Sequence, residues 1–387
     1  MIEVLIYIYF ILLFIPVNSF VIYPLLILII SKFVKINNYD KEKLPKVSLL
    51  IAAYNEDKVI EDRLKNISEL NYDFSKIEVH IGSDCSSDKT NEILTRKQKE
   101  FSWLKIHLFS ERRGKASVLN DLIKYANNDI VVFSDANTEF KKDALKNLVY
   151  QFQDDKIGGV CGKLILTDDE VEKNESVEER KYWLYETLIK ESESNLGLLF
   201  AANGGIFAIR KELFEQIPIK QAVTDDLFIS LSVIGKGYKF IYAKDAKAIE
   251  SVGKDVATEF KRKVRFSATN FQTMTLCLNS ILKQGILISY AFFSHKISRW
   301  FLPFNLVLLY LVNLILVGKS TIIDNMFYLQ SLFYLFALLG YIGTKIRFKF
   351  FLFSLPYFFV VANIAVIKGF FKFLNKKHSV IWESTKR

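Results

Sequence analysis

Apolar residues crowd the two ends of this chain and thin out between them. Residues 4–30 carry no charge, and the run is long enough to cross hydrocarbon as a helix, which takes about 20 residues. A cleavable leader would start with basic residues, be shorter and end in small side chains, and this run does none of these. Pro16 and Pro24 predict kinks within it. Lys32 and Lys35 follow directly, so the positive-inside bias puts the next segment on the cytoplasmic side. Three further apolar stretches, 300–317, 326–342 and 350–367, predict C-terminal spans. Lys345, Arg347 and Lys349 mark the loop between the last two as inside. One entry span and three exit spans would then leave the basic tail (Lys368, Lys372, Lys376, Lys377, Lys386, Arg387) outside, so either one candidate fails to cross or the tail breaks the rule.

Between the ends, short apolar runs alternate with helical patterns. Residues 47–53, 77–81, 104–109 and 130–133 read as strands, separated by helices at about 57–69, 88–99 and 115–126. That rhythm predicts an α/β fold with a mostly parallel sheet. In such sheets ligands lie beyond the carboxyl ends of the strands. The residues there are polar and acidic each time: Ala53-Tyr54-Asn55-Glu56, then Ser83-Asp84-Cys85-Ser86-Ser87-Asp88, then Ser134-Asp135-Ala136-Asn137. One such end is an ordinary helix cap, and Asp88 before Lys89-Thr90 reads as one. Several converging on one edge point to a site. No GxGxxG follows the first strand and no Walker lysine loop is present, so dinucleotide and P-loop readings fail on their own motifs.

Composition narrows the class. Of 387 residues, 51% are hydrophobic and the formal net charge is +10. With basic residues clustered beside apolar segments, that charge predicts attraction to membrane lipids rather than to nucleic acid. The three cysteines, Cys85, Cys161 and Cys277, are far apart and form no metal spacing, which suits a reducing compartment. Four histidines, none within ligand spacing of another, argue against zinc.

In order and spacing, these motifs resemble the family 2 glycosyltransferases, and among them the membrane polysaccharide synthases related to cellulose and hyaluronan synthases. The resemblance rests on Ala53-Tyr54-Asn55-Glu56, the loop from Asp84 to Asp88, Arg113-Gly114-Lys115, Asp135-Ala136-Asn137, Ala202-Asn203-Gly204-Gly205 with Arg210, Thr224-Asp225-Asp226, and Arg262 to Arg265-Phe266. It implies a GT-A, Rossmann-like domain with flanking transmembrane helices. The expected layout is a transmembrane helix over 1–31, a cytosolic GT-A domain over 32–254, amphipathic interfacial helices over 255–297, C-terminal transmembrane helices over 298–368 and a basic tail over 369–387.

The same resemblance implies roles. A nucleotide-sugar donor, a UDP-sugar by the carboxylate available for a uracil imide, would meet Ala53, Tyr54, Glu56, Asp84, Lys115, Asp135 and Arg262. Lys115 follows Gly114 at a helix start, a good neighbour for phosphate. Asp135 and Asn137 offer two oxygen ligands to Mg2+ or Mn2+, hard cations that oxygen donors favour. The family usually has a second aspartate where Asn137 stands. Asp226 would be the base that takes the acceptor hydroxyl proton, with Asp225 where the family has Glu. The competing reading makes both carboxylates N-terminal caps. Arg265 would bind the diphosphate, while Arg262 replaces the family's Gln and Phe266 its stacking Trp. Their stretch, 259–271, is basic and amphipathic, as interfacial helices are. The acceptor would meet Tyr185, Glu186, Asn203, Gly204 and Phe266, with Tyr182 and Trp183 on the same helix as Tyr185.

Three functions remain open on these residues. The first is an inverting, processive transfer that builds a polysaccharide at the cytoplasmic face of the membrane. The second adds one sugar to a lipid-linked acceptor, and the third is a membrane transporter or scaffold with a vestigial transferase domain. Product length separates the first two, and indifference to Asp226→Asn would mark the third.

Overall fold

The computed structural model describes residues 2–34, 39–167, 177–251, 256–346 and 350–376. Contacts divide the chain into two compact units. One comprises Met1–Ile27, Asp255–Phe271 and Ser289–His378; the other comprises Leu28–Lys254 and Gln272–Ile288.

The first unit is helical. Its N-terminal span runs through α1 (Ile2–Val17), a π-helical turn (Asn18–Ile22) and α2 (Tyr23–Ser31), together 30 residues long enough to cross a membrane. Pro16 and Pro24 bracket the π turn that separates α1 from α2. A second π turn at Phe293–Ile297 meets it. Asn18 donates to Ser294 Oγ at 2.9 Å, Ser19 donates to the Ser294 carbonyl at 2.7 Å, and Tyr290 donates back to Asn18 at 2.8 Å. Polar side chains in an apolar segment are satisfied this way by one another.

In the second unit the central sheet begins with β1 (Val47–Ala53), then α3 (Ile60–Ser68), β2 (Ile77–Asp84), α4 (Thr90–Gln98), β3 (Leu104–Phe109), α5 (Lys115–Tyr125), β4 (Ile130–Asp135) and the short β5 (Thr138–Phe140). It continues with α6 (Ala144–Val149), β6 (Ile157–Thr167), α7 (Val177–Asn195), β7 (Phe207–Arg210), α8 (Asp225–Gly235) and β8 (Lys239–Ser251). The eight strands lie in the order β3-β2-β1-β4-β7-β6-β8-β5. The first four are parallel, as the alternation predicts. The remainder is mixed: β7 runs antiparallel to both β4 and β6, and β5 antiparallel to β8. Leu49, Ile51, Val79, Ile81 and Val132 are fully buried and carry the core, covered by Ile60, Leu64 and Ile67 of α3.

Two predicted strands are longer than their apolar runs. β2 continues to Asp84 and β4 to Asp135, because Gly82–Asp84 still pair with β3 and Ser134 and Asp135 with β1. The acidic residues are therefore the last ladder positions of their strands, held by backbone hydrogen bonds.

The C-terminal half holds α9 (Val256–Leu282), α10 (Ile286–Phe292), the short α11 (Ser298–Trp300), α12 (Leu302–Leu316), α13 (Thr321–Lys345) and α14 (Phe351–Leu374). Among the described residues of this half, α13 and α14 are each long and apolar enough to cross a membrane. For the expected span at 300–317, α12 alone is 15 residues; with Ile286–Trp300, to which it is joined at a 72° bend, it reaches spanning length. The charges Lys35, Arg347, Lys349, Lys377, Lys386 and Arg387, on which the topology reading partly rests, lie outside the described residues.

Candidate active site

The turns after β1 and β2 are knitted together. Asn55, at φ +53°, donates its backbone N–H to Ser86 Oγ (3.1 Å) and accepts from the Ser87 N–H on its side-chain oxygen (2.8 Å). Glu56 N–H donates to Thr90 Oγ1 (2.8 Å), and Asp57 N–H to Asp88 (3.1 Å). Asp88 also accepts from the Thr90 N–H at 3.0 Å, from one position ahead of Lys89, the N-cap of α4.

Asp84 is 4% exposed. Its two carboxylate oxygens accept the backbone N–H groups of Arg113 and Gly114, both at 2.8 Å. Gly114 stands at φ +87°, where a side chain is strained. Asp84 thus clamps the turn that starts α5. Arg112 lies 3.8 Å over the Tyr54 ring, and Arg113 pairs with Asp121 at 2.8 Å.

The clamp presents Lys115, the first residue of α5. Its ammonium bridges two carboxylates, Asp135 at 2.8 Å and Asp225 at 2.9 Å. Burial works against the Lys115 charge, but Asp135 and Asp225 outweigh it and hold the ammonium above the ordinary lysine value. Next in the chain, Asp226 accepts the Leu227 N–H at 2.7 Å. Burial first, then repulsion from Asp225, pushes its carboxyl up to about 7, with Lys115 pulling the other way. A Cβ built on Gly204 would lie 3.3 Å from Asp226 Oδ2 and 3.8 Å from Asp135 Oδ2. Gly204 therefore keeps open the space that these two carboxylates share.

Lys115, Asp135, Gly204, Asp225 and Asp226 are thus brought together, with Ala53, Tyr54, Glu56 and Asp84 in the adjoining strand ends. Asn203 spends its side chain on the Gly162 carbonyl (2.8 Å) and its N–H on Cys161 (3.1 Å), which fixes the loop carrying Gly204. Asn137 donates its amide to Glu250 at 3.1 Å. Arg210 holds the backbone carbonyls of Phe152, Asp154 and Ile157, a structural duty. Tyr185 and Glu186 are half-buried on α7; the side chains of Tyr182 and Trp183 lie outside the described residues. Arg262, Arg265 and Phe266 belong to the helical unit, on the first half of α9, where the Arg265 guanidinium lies 5.2 Å from the Phe266 ring centre.

Two residues escaped the sequence reading. Arg63, 3% exposed, donates to Ser134 Oγ at 2.9 Å, and that hydroxyl donates to the Gly205 carbonyl at 2.9 Å. The chain of bonds locks the end of β4, just before Asp135, to the loop carrying Gly204. Its signal was a charge on the apolar face formed by Ile60, Leu64 and Ile67. Glu250 gave no signal, because its partner is 113 positions away.

The donor set fits a divalent cation of the Mg2+ or Mn2+ kind. No group of three or more His, Cys, Asp or Glu that could hold a metal exists among the described residues. Such an ion, when it binds with a diphosphate, needs only one or two protein oxygens besides phosphate and water. Asp135 and the Asn137 amide oxygen can provide these.

Residues 48–218 match the model of glycosyl transferase family 2. Over 247 residues the chain is 28% identical to a poly-beta-1,6-N-acetyl-D-glucosamine synthase of Staphylococcus aureus, covering 62% of this chain and 58% of that protein. The match thus spans less than two thirds of that relative's length. A beta-monoglucosyldiacylglycerol synthase of Trichormus variabilis is 37% identical over 133 residues, 33% of this chain and 28% of that one. A mannosyltransferase from Pyrobaculum calidifontis, solved in complex with GDP-Man and Mn2+, superposes with a TM-score of 0.69 at 20% identity, over 96% of this chain and 99% of its own. The fold is the GT-A type that the motifs pointed to.

Proposed function

From the premise that residues 48–218 form a glycosyl transferase family 2 domain, we propose that this chain is an inverting glycosyltransferase of the membrane. It moves a sugar from a UDP-sugar onto a growing polysaccharide, processively, with its catalytic domain on the cytoplasmic side. The observation that carries this reading is the cluster at Gly204: a basic carboxylate, Asp226, beside a metal-type carboxylate, Asp135, with Lys115 between Asp135 and Asp225. Asp226, raised to about 7, is suited to take a proton near neutral pH.

In this scheme the acceptor hydroxyl oxygen attacks the anomeric carbon from the face opposite the diphosphate. The C–O bond to the diphosphate breaks with its electron pair on the leaving group, and the hydroxyl proton passes to Asp226. Lys115 balances charge on the departing diphosphate; for Arg265 a diphosphate role is what the family resemblance implies. The clamp from Asp84 to the 113–114 backbone holds Lys115 in position. Asp135 and Asn137 would hold Mg2+ or Mn2+, which as a Lewis acid neutralises diphosphate charge. Tyr54 and Glu56 lie by the nucleoside end of the donor. Gly204 and Asn203, with Tyr185 and Glu186, serve the acceptor; for Phe266 an acceptor role is what the family resemblance implies.

The polysaccharide product follows the named activity of the Staphylococcus relative. The Trichormus relative, named for a diacylglycerol glycolipid, favours the second reading, one sugar added to a lipid acceptor. The test incubates membranes containing the protein with a panel of labelled UDP-sugars and GDP-mannose. Label from a UDP-sugar is expected in a ladder of products; a single added sugar selects the lipid reading. Asp226→Asn is expected to abolish transfer with membrane insertion intact. Full activity of that variant would remove the base assignment.

A further inference from the structure

Asn137 reads as a weakened version of the carboxylate usual at its position. The structure gives it a partner that changes this view. Its Nδ2 donates to Glu250 Oε1 at 3.1 Å. Glu250 sits on β8, directly opposite Thr138, the residue after Asn137, in the antiparallel pairing of β5 with β8. An ionised carboxylate only accepts hydrogen bonds. Glu250 therefore dictates which way the amide points: nitrogen toward β8, oxygen to the other side. Asn137 Oδ1 is the atom left for a cation. An aspartate at 137 would instead face Glu250 with like charge at about the same separation, and would be repelled.

We propose that Glu250 is a positioning residue for the cation site: it orients the Asn137 amide so that its oxygen is presented to the divalent ion. Asn137 and Glu250 form a matched pair, in which the neutral ligand is the one compatible with a carboxylate behind it. This rests on the reading of Asp135 and Asn137 as cation ligands. It adds a residue, and a reason for Asn at 137, that this reading does not contain. Outer partners of metal ligands act in this manner, and their loss costs about 10- to 100-fold in metal affinity.

The test measures Mn2+ binding by electron paramagnetic resonance on the purified full-length protein, with and without UDP. Glu250→Ala is expected to weaken Mn2+ by about tenfold or more, because the amide is then free to turn. Glu250→Gln, whose own oxygen can still accept from Asn137, is expected to retain most of the affinity and controls for folding. Asn137→Asp alone is expected to weaken Mn2+, and Asn137→Asp combined with Glu250→Gln to recover it, since the glutamine nitrogen can then donate to the new carboxylate. Unchanged binding in Glu250→Ala, or tighter binding in Asn137→Asp alone, overturns the proposal. Asp135→Ala separates the two levels. If it abolishes Mn2+ binding while Glu250→Ala does not change it, the site stands and the positioning role falls. If Asp135→Ala leaves Mn2+ bound as before, the cation reading itself falls, and this proposal with it.

Discussion

At the scale of single residues, chemistry here is set by which charges are left together. Asp226 would be an ordinary carboxylate in water. Burial and Asp225 raise it to about 7, and Lys115 limits the rise. The sign for activity follows. Below about pH 7 Asp226 is protonated and cannot take a proton, so kcat/KM is expected to fall about tenfold per pH unit on the acid side. Lys115→Gln removes a nearby cation that lowers this pKa. The acid limb is then expected to move to higher pH, with activity reduced even at its plateau. A pH–rate series of both proteins checks this; a limb that stays put or moves down contradicts the assignment. Asp226 and Asp135 were legible in the sequence because short motifs carry them. The clamp by Asp84 and the pairing of Asn137 with Glu250 were not, since each depends on a partner 29 to 113 positions away.

At the scale of elements, periodicity located the parallel strands well because each is a dense apolar run. It ended β2 and β4 early, because apolar side chains stop before the backbone ladder does. It also missed what α3 contributes. Arg63 projects from the core face of that helix, lies 4.3 Å over the Phe140 ring, and donates to Ser134 and, at 2.6 Å, to Asn66. Asn66 in turn exchanges hydrogen bonds with the backbone of Phe140. Both ends of the stretch containing Asp135 and Asn137 are thereby tied to α3. Arg63→Ala would leave the buried Ser134 and the half-buried Asn66 each short of a donor. It is expected to destabilise the protein by about 2–3 kcal/mol, at the upper end for a buried polar group losing its partner, read as a lowered unfolding midpoint in denaturant. A change under about 0.5 kcal/mol would mean that solvent or another side chain replaces it.

At the scale of the whole molecule, topology decides which residues can meet. β1 lies between β2 and β4, so the strand order reverses there, and Asp84 and Asp135 stand at the carboxyl ends of the strands on either side, the edge where ligands of such sheets lie. The mixed half of the sheet was illegible beforehand, because antiparallel returns such as β7 follow long loops rather than a repeating rhythm. In the helical unit, composition marked the long apolar helices but not their packing. Lipid supplies little hydrophobic drive between helices, so close backbone approach through small residues carries much of their association. Gly340 of α13 is such a point. A methyl there would collide with the Phe353 carbonyl oxygen of α14 and lie 2.7 Å from Tyr357 Cβ. Neither α14 atom can yield cheaply, one being backbone and the other anchored at its root. Gly340→Leu must therefore part α13 from α14. It is expected to lower the thermal midpoint of the detergent-purified protein by several degrees and to broaden its size-exclusion peak. Leu338, exposed on the same helix, provides the control: Leu338→Ala removes volume without touching the crossing and should change the midpoint little. Equal effects from both substitutions would show that helix composition, not this contact, holds the pair together.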